Sequence, residues 1–404
     1  MRLRTRETAF RHMSQSFRPT VDPSLTRRFV TVGLGAVGAA WAAGWSPTRA
    51  AEACGLIDIA DGWKTAAPAT VGVDGARLCA MIDWLNAFPA ANIHSILVVR
   101  HGTLVFEHYR RGNDEIWDQQ AANAEHGPTI KHDIRSISKS ITSMLVGIAL
   151  DRKMIADIDG PVFDYFTEYA DLRTPEKARI TLRHLLMMAS GLEWDENVPY
   201  TDPKNSQIGM FDAVDHLRFA LAPSSVATAG SEWNYSAGCT ELLAAIVAKR
   251  SGMSIDEFAR DALFSPLGIS DVVWKRYSDN IPSAASGLQL RPRDLAKIGQ
   301  LVLDRGLWNG QRIISESWID VSTSPQIGPA DRVYFYGYQW WLGRSLINGR
   351  ELTWTAGIGL GGQRLFIVPA LDLICVVTAG HYTDSIQNWL PLLLFNRDVL
   401  PAIS

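Results

Sequence analysis

The chain has 404 residues, of which 47% are apolar and 20% charged, and its net charge is −3. This length supports a large buried core, and the composition excludes a disordered or fibrous chain. Residues 1–50 hold eight arginines against Glu7 and Asp22, so the remainder of the chain is acidic. An acidic body argues against a nucleic-acid partner, because binding nucleic acid requires a basic face.

Residues 24–53 have the pattern of an export signal. The pair Arg27 and Arg28 precedes an uncharged run at 29–46, and small residues that suit a cleavage site follow. The arginine pair resembles a twin-arginine signal, and the run is too short and too rich in Gly and Ala for a membrane anchor. We therefore predict that residues 1–53 are cleaved, that the protein is periplasmic or secreted, and that the mature chain has no stable membrane insertion.

The same segment contains the glycine pattern of a dinucleotide-binding loop. Gly33, Gly35 and Gly38 form a G-x-G-x-x-G after a strand-like run, and Glu52 follows at roughly the spacing of a ribose-binding acid. A dinucleotide-dependent oxidoreductase is therefore an alternative hypothesis. Pro47 stands where the second strand of that fold should begin, which argues against it, and we predict no cofactor.

Strands are predicted at both ends of the mature chain, and helices in its middle. In chain order, the predicted elements are a hairpin over 93–109, helices at 136–152, 182–188, 212–221, 240–251, 255–264 and 293–304, and strands at 334–342, 364–368 and 373–378. This order predicts an α+β fold in one catalytic domain, 54–404. An antiparallel sheet is built from residues 54–130 and 285–404, and a helical lobe at 131–284 is inserted between them.

A nucleophile is predicted at the start of the first of these helices. Ser136 and Lys139 form the single Ser-x-x-Lys of the chain. They lie on one helix face, so the hydroxyl and the amine can meet. The helix N-terminus offers unpaired N–H groups that stabilise an oxyanion, and burial favours the neutral amine that can accept a proton. A helix-capping serine beside a surface lysine is the structural alternative.

Two later segments offer partners for this pair. Tyr235 lies in a tight Tyr-Ser-Ala-Gly segment just before a helix, and a nearby ammonium makes a phenol easier to deprotonate. Tyr235 can then act as the general base for Ser136, unless it is an ordinary core tyrosine. The Gly-rich stretch at 354–369 can present backbone N–H groups to a substrate, unless it is an ordinary hairpin turn.

Cysteines and histidines give no metal pattern. The chain has four cysteines, none in a C-x-x-C pair: Cys54, Cys79, Cys239 and Cys375. Their disulfide pairing does not follow from the sequence, although Cys375 lies in an apolar run that is typical of a buried free thiol. His94, His101 and His108 are spaced by seven, and no His-Glu-x-x-His occurs. We therefore predict no metal site.

The order of the motifs at 136–139, 235–237 and 354–369 resembles the serine β-lactamase and penicillin-binding superfamily. The likeness is greatest to class C β-lactamase-like serine hydrolases, which include family VIII esterases and 6-aminohexanoate-dimer hydrolases. The stretches 180–192 and 286–296 are similar to that family's ITxRHLLxxxSGL and GLxLxPRDLA stretches, and the resemblance covers nearly all of the mature chain.

The resemblance implies a β-lactamase-like fold and a role for each candidate residue. It implies Ser136 as the nucleophile, Lys139 as a proton shuttle and Tyr235 as the general base. It also implies an oxyanion hole from the backbone N–H of Ser136 and a second N–H, supplied by Gly357 or Leu360. The implied substrate is a small ester or amide, or a short peptide-like molecule.

Two departures from the family pattern bear on the substrate. A β-lactamase of this class has Tyr-x-Asn where this chain has Ala237 in the third place, and Lys-Thr-Gly where this chain has Trp354, Thr355 and Ala356. A β-lactam carboxylate loses its cationic partner as a result. We therefore predict an exported esterase or amidase. A true β-lactamase, a D-alanyl-D-alanine carboxypeptidase or a penicillin-binding protein remains an alternative.

Overall fold

The computed structural model describes residues 56–88, 90–116, 119–328 and 334–403, so the predicted export signal, the glycine pattern within it and Cys54 lie outside the described residues. The strands are β1 (Lys64–Thr65), β2 (Ile93–Arg100), β3 (Thr103–Tyr109), β4 (Gly112–Ile116), β5 (Gln119–Ala124), β6 (His132–Asp133), β7 (Val273–Trp274), β8 (Leu288–Leu290), β9 (Leu307–Trp308), β10 (Gln311–Arg312), β11 (Phe335–Tyr336), β12 (Trp341–Ile347), β13 (Arg350–Gly359), β14 (Gln363–Val368) and β15 (Leu373–Ala379).

The α-helices of the described residues lie mainly between β6 and β11. They are α1 (Gly75–Ala87), α2 (Ile137–Asp151), α3 (Leu182–Leu186), α4 (Ser206–Asp212), α5 (His216–Leu221), α6 (Ala237–Ser251), α7 (Ile255–Ala259), α8 (Pro292–Leu303), α9 (Glu316–Ser322) and α10 (Ile386–Leu394). No helix in the described ranges is both long enough and apolar enough to cross a membrane.

The main sheet joins strands from the N-terminal and C-terminal parts of the described residues, as the sequence predicts. Its strand order is β1-β3-β2-β15-β14-β13-β12-β11, and every neighbouring pair is antiparallel except β1 with β3. Strand β15 from the C-terminal part therefore pairs with β2 from the N-terminal part. This antiparallel order differs from the parallel sheet that a dinucleotide-binding domain requires.

The sheet is buried on both faces because its strands carry apolar residues at successive positions. Side chains such as Leu97 and Val376 belong to the core that also contains residues of α2, α6 and α8. Their neighbours Val98 and Val377 belong to a second core with α1 and α10. Successive strand residues point to opposite faces, so the continuous apolar runs place one helical layer on each side.

Most of the predicted elements agree with the structure, two are wrong, and strand β13 was not predicted. The hairpin over 93–109 and the strands at 364–368 and 373–378 are confirmed. The single strand predicted at 334–342 is wrong: β11 and β12 pair antiparallel across a turn in which Gln339 has a φ of 64°. The helix predicted at 212–221 is also wrong, because α4 ends at Asp212 and Asp215 caps a separate α5.

The cysteines divide into two kinds. Cys79 on α1 is disulfide-bonded. Cys239 and Cys375 are free and buried, which confirms the prediction for Cys375, and burial raises the pKa of the Cys375 thiol to about 12. A thiol that is buried and protonated packs as a small apolar side chain.

Candidate active site

Ser136 lies in the N-cap position of α2, directly after a tight turn. Strand β6 leads into this turn, and Arg135 adopts a φ of 47°, which is uncommon for a residue other than glycine. The backbone N–H of Arg135 donates to a carboxylate oxygen of Asp133 at 3.0 Å and holds the turn. The turn brings Ser136, which is half-exposed, to the surface of a cleft, next to the N–H groups of the first helical turn.

Lys139 is fully buried and faces Ser136 on the same side of α2. Its Nζ donates to the Ser136 Oγ at 3.1 Å and to the carbonyl oxygen of Ala285 at 3.0 Å. Helix α2 is buried on all its sides from Ile137 to Ala149, so the lysine has no path to solvent along its own helix. The structure thus brings the predicted serine and lysine into hydrogen-bond contact.

Tyr235 comes from a distant segment, next to the N-terminus of α6. Ser236 caps this helix by accepting a hydrogen bond from the N–H of Cys239. The Tyr235 ring centroid lies 4.8 Å from Lys139 Nζ, and the ring also packs against Trp341 at 5.9 Å. The three side chains that the sequence singled out therefore converge, although about 100 residues separate Tyr235 from the other two.

A half-buried carboxylate fixes the turn on which Tyr235 stands. Glu196 accepts hydrogen bonds from the N–H of Ala237 at 2.6 Å and from the indole N–H of Trp194 at 2.6 Å. It also accepts from the Tyr200 hydroxyl at 3.2 Å. A carboxylate at a helix N-terminus is favourable, because it meets unpaired N–H groups. Burial, with the charge of Glu196, raises the pKa of Tyr200 well above its ordinary value, so its hydroxyl stays a donor.

The far end of β13 approaches Ser136 with its backbone. The last residue pair between β12 and β13 is Trp341 with Ala356, so residues 357–359 extend beyond that neighbour. A Cβ added at Gly357 would lie 2.8 Å from Cγ2 of Ile137, the residue that follows Ser136. Glycine is therefore required here for close approach. Leu360 lies in the wall of the cleft that contains Ser136. Both candidates for the second oxyanion N–H thus stand near the serine.

The cleft has a volume of about 380 Å³ and a mixed polar and apolar wall. Besides Ser136 and Leu360, it is lined by Glu115, Arg135, Tyr200, Gln207, Ile208, Phe211, Asp212, Lys275, Arg276, Tyr277, Ser278 and Ser286. Gln207 donates to the Ser286 hydroxyl at 2.9 Å and links two segments of the wall. Sequence reasoning missed Tyr200 and Gln207, because neither lies in a recognisable motif and only the fold brings them to the serine.

Three tryptophans, Trp194, Trp340 and Trp354, are buried and do not line the cleft. Trp340 is fully buried and Trp194 is nearly so. Trp354, at the position of the family's cationic residue, is buried in the apolar layer with Phe366 and donates to the Ser345 hydroxyl at 3.0 Å. The strand therefore presents no cation at that position.

A cluster of histidines lies behind the turn that precedes Ser136. Of the three histidines spaced by seven, His101 is exposed in the hairpin turn and His108 pairs with Ile96. The third, His94, instead meets residues from three other segments: Asp114, His126 and His132. Sequence spacing gave no indication of this group, because its members come from different strands and loops.

Comparison with known proteins identifies the family. The Beta-lactamase family model matches residues 86–385, about three quarters of the chain. The chain belongs to the Beta-lactamase family. A 6-aminohexanoate-dimer hydrolase from Paenarthrobacter ureafaciens is 25% identical over 317 residues, which cover 73% of this chain and 74% of the relative.

Solved structures show the same Beta-lactamase fold. A class C β-lactamase superposes with a TM-score of 0.60 at 16% identity, covering 81% of this chain and 96% of the other. EstCE1, described as a hydrolase with promiscuous acyltransferase activity, superposes with a TM-score of 0.60 at 15% identity. The superposition covers 78% of this chain and 96% of EstCE1. The predicted α+β, β-lactamase-like fold is confirmed, and the chain is a Beta-lactamase-family hydrolase.

Proposed function

We propose that this hydrolase cleaves an ester or amide bond through an acyl-enzyme on Ser136. The observation that carries the proposal is the contact of Lys139 Nζ with Ser136 Oγ at 3.1 Å, beside the Tyr235 ring. A nucleophile within hydrogen-bond reach of a base, with a third group next to the base, is the usual arrangement for covalent catalysis. A capping serine with a surface lysine does not fit a lysine that is fully buried.

The groups present support each step of the reaction. Ser136 Oγ forms a bond to the substrate carbonyl carbon while its proton passes to Tyr235 or Lys139. The carbonyl oxygen becomes an oxyanion and accepts from the N–H of Ser136 and from that of Gly357 or Leu360. The leaving alcohol or amine takes the proton as its bond to carbon breaks. Water then attacks the acyl-enzyme by the same route, which releases an acid and restores the serine.

We propose a substrate whose binding does not require a cationic side chain at position 354 to pair with a carboxylate. Trp354 is buried with its indole N–H on Ser345, so it offers neither charge nor free surface there. The relative from Paenarthrobacter ureafaciens is named for hydrolysis of a 6-aminohexanoate dimer, and EstCE1 for hydrolase and acyltransferase activity. These names favour linear esters and amides over β-lactams, and D-alanyl peptides remain a competing class.

Active-site labelling tests the proposal. A fluorophosphonate probe followed by peptide mass spectrometry is expected to label Ser136 in the wild-type chain and nothing in Ser136→Ala. Ser231→Ala is the matched control, because Ser231 is exposed and its hydroxyl only caps a turn at Thr228. Hydrolysis of p-nitrophenyl butyrate then separates a turning-over enzyme from a penicillin-binding receptor that stays acylated. Equal labelling of the wild type and Ser136→Ala removes Ser136 from the mechanism.

We also propose that the protein works outside the cytoplasm. The proposal rests on the signal pattern of residues 24–53, and a disulfide at Cys79 suits an oxidising compartment. Fractionation of cells that express the whole chain, with mass spectrometry of the mature N-terminus, tests it. A cytoplasmic protein that retains residues 1–53 contradicts it.

A further inference from the structure

Four potential metal ligands meet behind the nucleophile turn. His94 on β2, Asp114 on β4, His126 after β5 and His132 on β6 each offer one ligand atom, and these atoms all lie within 4.8 Å of one another. Three of the four residues are buried. The ligand atoms of a tetrahedral zinc site are ~3.3–3.6 Å apart, given metal–ligand distances of about 2.0–2.2 Å. To reach that size, the wider separations must shorten, and the 2.8 Å separation between His94 Nδ1 and His132 Nε2 must lengthen.

The outer nitrogen of His94 is held as a donor. His94 Nε2 lies 3.1 Å from the carbonyl oxygen of Asn113 and 3.2 Å from Oδ1 of Asn92. The orientation of the Asn92 amide is fixed, because its Nδ2 donates to the same carbonyl at 2.7 Å. Both neighbours of Nε2 are therefore acceptors, so Nε2 carries the hydrogen. The inner nitrogen, Nδ1, is left with a lone pair.

His132 is held in the complementary way. Its Nδ1 lies 2.9 Å from the carbonyl oxygen of Asp133, which only accepts, so Nδ1 carries the hydrogen and Nε2 has the lone pair. His94 Nδ1 and His132 Nε2 face each other at 2.8 Å. Two lone pairs at this distance repel unless a cation lies between them. A backbone carbonyl on the outer nitrogen is also the usual support of a metal-bound histidine.

Two further ligands distinguish a metal ion from a shared proton. Asp114 lies 3.9 Å from His132 Nε2, and its Oδ1 is oriented by the Tyr382 hydroxyl at 3.0 Å and the Glu115 N–H at 2.8 Å. Among the described residues, the buried Nε2 of His126 has no hydrogen-bond partner. A shared proton would bridge only the two facing nitrogens of His94 and His132. A metal ion would bind the ligand atoms of all four residues.

We propose that His94, Asp114, His126 and His132 bind one divalent transition-metal ion of the zinc type. Three imidazoles and one carboxylate suit zinc and disfavour magnesium and calcium, which take oxygen ligands. The His126 ring is stacked on the His94 ring with centroids 3.8 Å apart. Two parallel rings cannot both direct a nitrogen at one ion, so the His126 ring must tilt when the ion binds. Four protein ligands leave no open position, which makes the site structural rather than catalytic.

The position of the site gives the ion a role in the architecture around Ser136. It ties the β4–β5 hairpin to β2 and to β6, and β6 is followed within three residues by Ser136. Glu115, next to Asp114, lines the cleft and accepts from Arg135 through its carbonyl oxygen at 3.1 Å. The ion therefore stabilises the turn that presents the nucleophile, but it takes no part in the proposed reaction.

Metal uptake by the whole chain, made without a histidine tag, tests this site. The protein is stripped with a chelator, dialysed against zinc or cobalt, and its metal content and melting temperature are measured. The wild type is expected to bind one ion per chain, to show the visible absorption of four-coordinate cobalt, and to melt at least ~3 °C higher with excess zinc. Wild-type protein that binds no stoichiometric ion overturns the proposal.

Two ligand variants and one control assign the binding. His126→Gln is the first variant, because this half-exposed ring contributes little to the core, and His132→Gln is the second. Each is expected to weaken zinc affinity by at least ~10²-fold, since even loss of a supporting contact costs 10- to 100-fold. His101→Gln, an exposed histidine outside the cluster, is expected to bind as the wild type does. Unchanged affinity in a folded His126→Gln overturns the proposal, whatever the hydrolase activity.

Discussion

Glu241 accepts a 3.0 Å hydrogen bond from the N–H of Ala285, the residue whose carbonyl oxygen binds Lys139. The same carboxylate accepts from the N–H of Ala284 at 3.1 Å and from the Tyr277 hydroxyl at 2.8 Å. Burial raises the pKa of Glu241 above its ordinary value, and these donors oppose that shift. Glu241, on α6, therefore fixes the peptide that orients the lysine on α2.

Glu241→Gln is expected to disturb this arrangement without removing a group that touches substrate. The new amide NH₂ faces donors, so at least one buried hydrogen bond is lost, at a cost of about 1–3 kcal/mol of unfolding free energy. We expect kcat for p-nitrophenyl butyrate to fall about 10-fold, the order of that same energy, with KM unchanged. Glu316→Gln, at an exposed position, is the control. A fall in melting temperature with wild-type kcat shows that Glu241 is structural only.

Tyr235→Phe tests the proposed general base. The variant keeps the ring that packs on Trp341 and removes only the hydroxyl. We expect kcat to fall by ~10²-fold or more, the usual contribution of a general base, with little change in melting temperature. Tyr338→Phe is the matched control, because the Tyr338 hydroxyl contacts Arg183 outside the cleft. An unchanged kcat in Tyr235→Phe assigns the proton transfer to Lys139 alone.

β-Lactam turnover is expected to be poor. The residue at position 354 is a buried tryptophan, so the carboxylate of a β-lactam finds no charged partner on this part of β13. A charge-assisted hydrogen bond contributes about 1.5–3 kcal/mol, so we expect kcat/KM for nitrocefin to be about 10- to 10²-fold below that for p-nitrophenyl butyrate. Ser136→Ala should abolish both activities. Comparable kcat/KM values for the two substrates contradict the proposed preference.

His108 is expected to make the protein less stable in mild acid. Burial, with the charge of Arg110, lowers the pKa of His108 to about 4. The unfolded chain, in which a histidine has its ordinary pKa near 6.5, then binds the proton more readily than the folded one. This destabilising effect of His108 is absent above about pH 6.5. As the pH falls from there through about 4, the effect grows and the free energy of unfolding decreases. Urea unfolding at several pH values measures this decrease.

His108→Gln is the variant that isolates this effect. Its unfolding free energy should decrease less steeply than that of the wild type between about pH 6.5 and 4, because the side chain no longer titrates. Above that range the difference between the two proteins should be constant. Parallel curves across the whole range contradict a lowered pKa at His108.

The sequence was sufficient for the elements whose pattern is local. Helix α2 was predicted to within one residue at each end, because its apolar spacing and the Ser-x-x-Lys motif at its start are properties of consecutive residues. The split of β11 from β12 was missed, because Gln339 adopts a positive φ only where its side chain binds the carbonyl oxygen of Leu185. A contact between distant segments decides that turn.

The candidate site likewise contains some residues that the sequence predicts and others that only the structure shows. Ser136 and Lys139 are three residues apart, and helical geometry alone brings them together. Tyr235 was predicted from its short segment before a helix and from the family resemblance, whereas Tyr200 and Gln207 have no motif and appear only in the folded cleft. Their place in the cleft depends on how the helical lobe packs against the sheet.

Sequence alone determined where helix α2 lies and that both ends of the chain supply strands to the sheet, because amphipathic spacing and apolar strand patterns are encoded locally. Only the tertiary structure decided that Glu241 fixes the partner of Lys139, that Trp354 is buried, and that His94, Asp114, His126 and His132 meet. These facts depend on contacts between segments far apart in the chain. The local sequence around each segment does not predict such contacts, because they form only when the whole core packs.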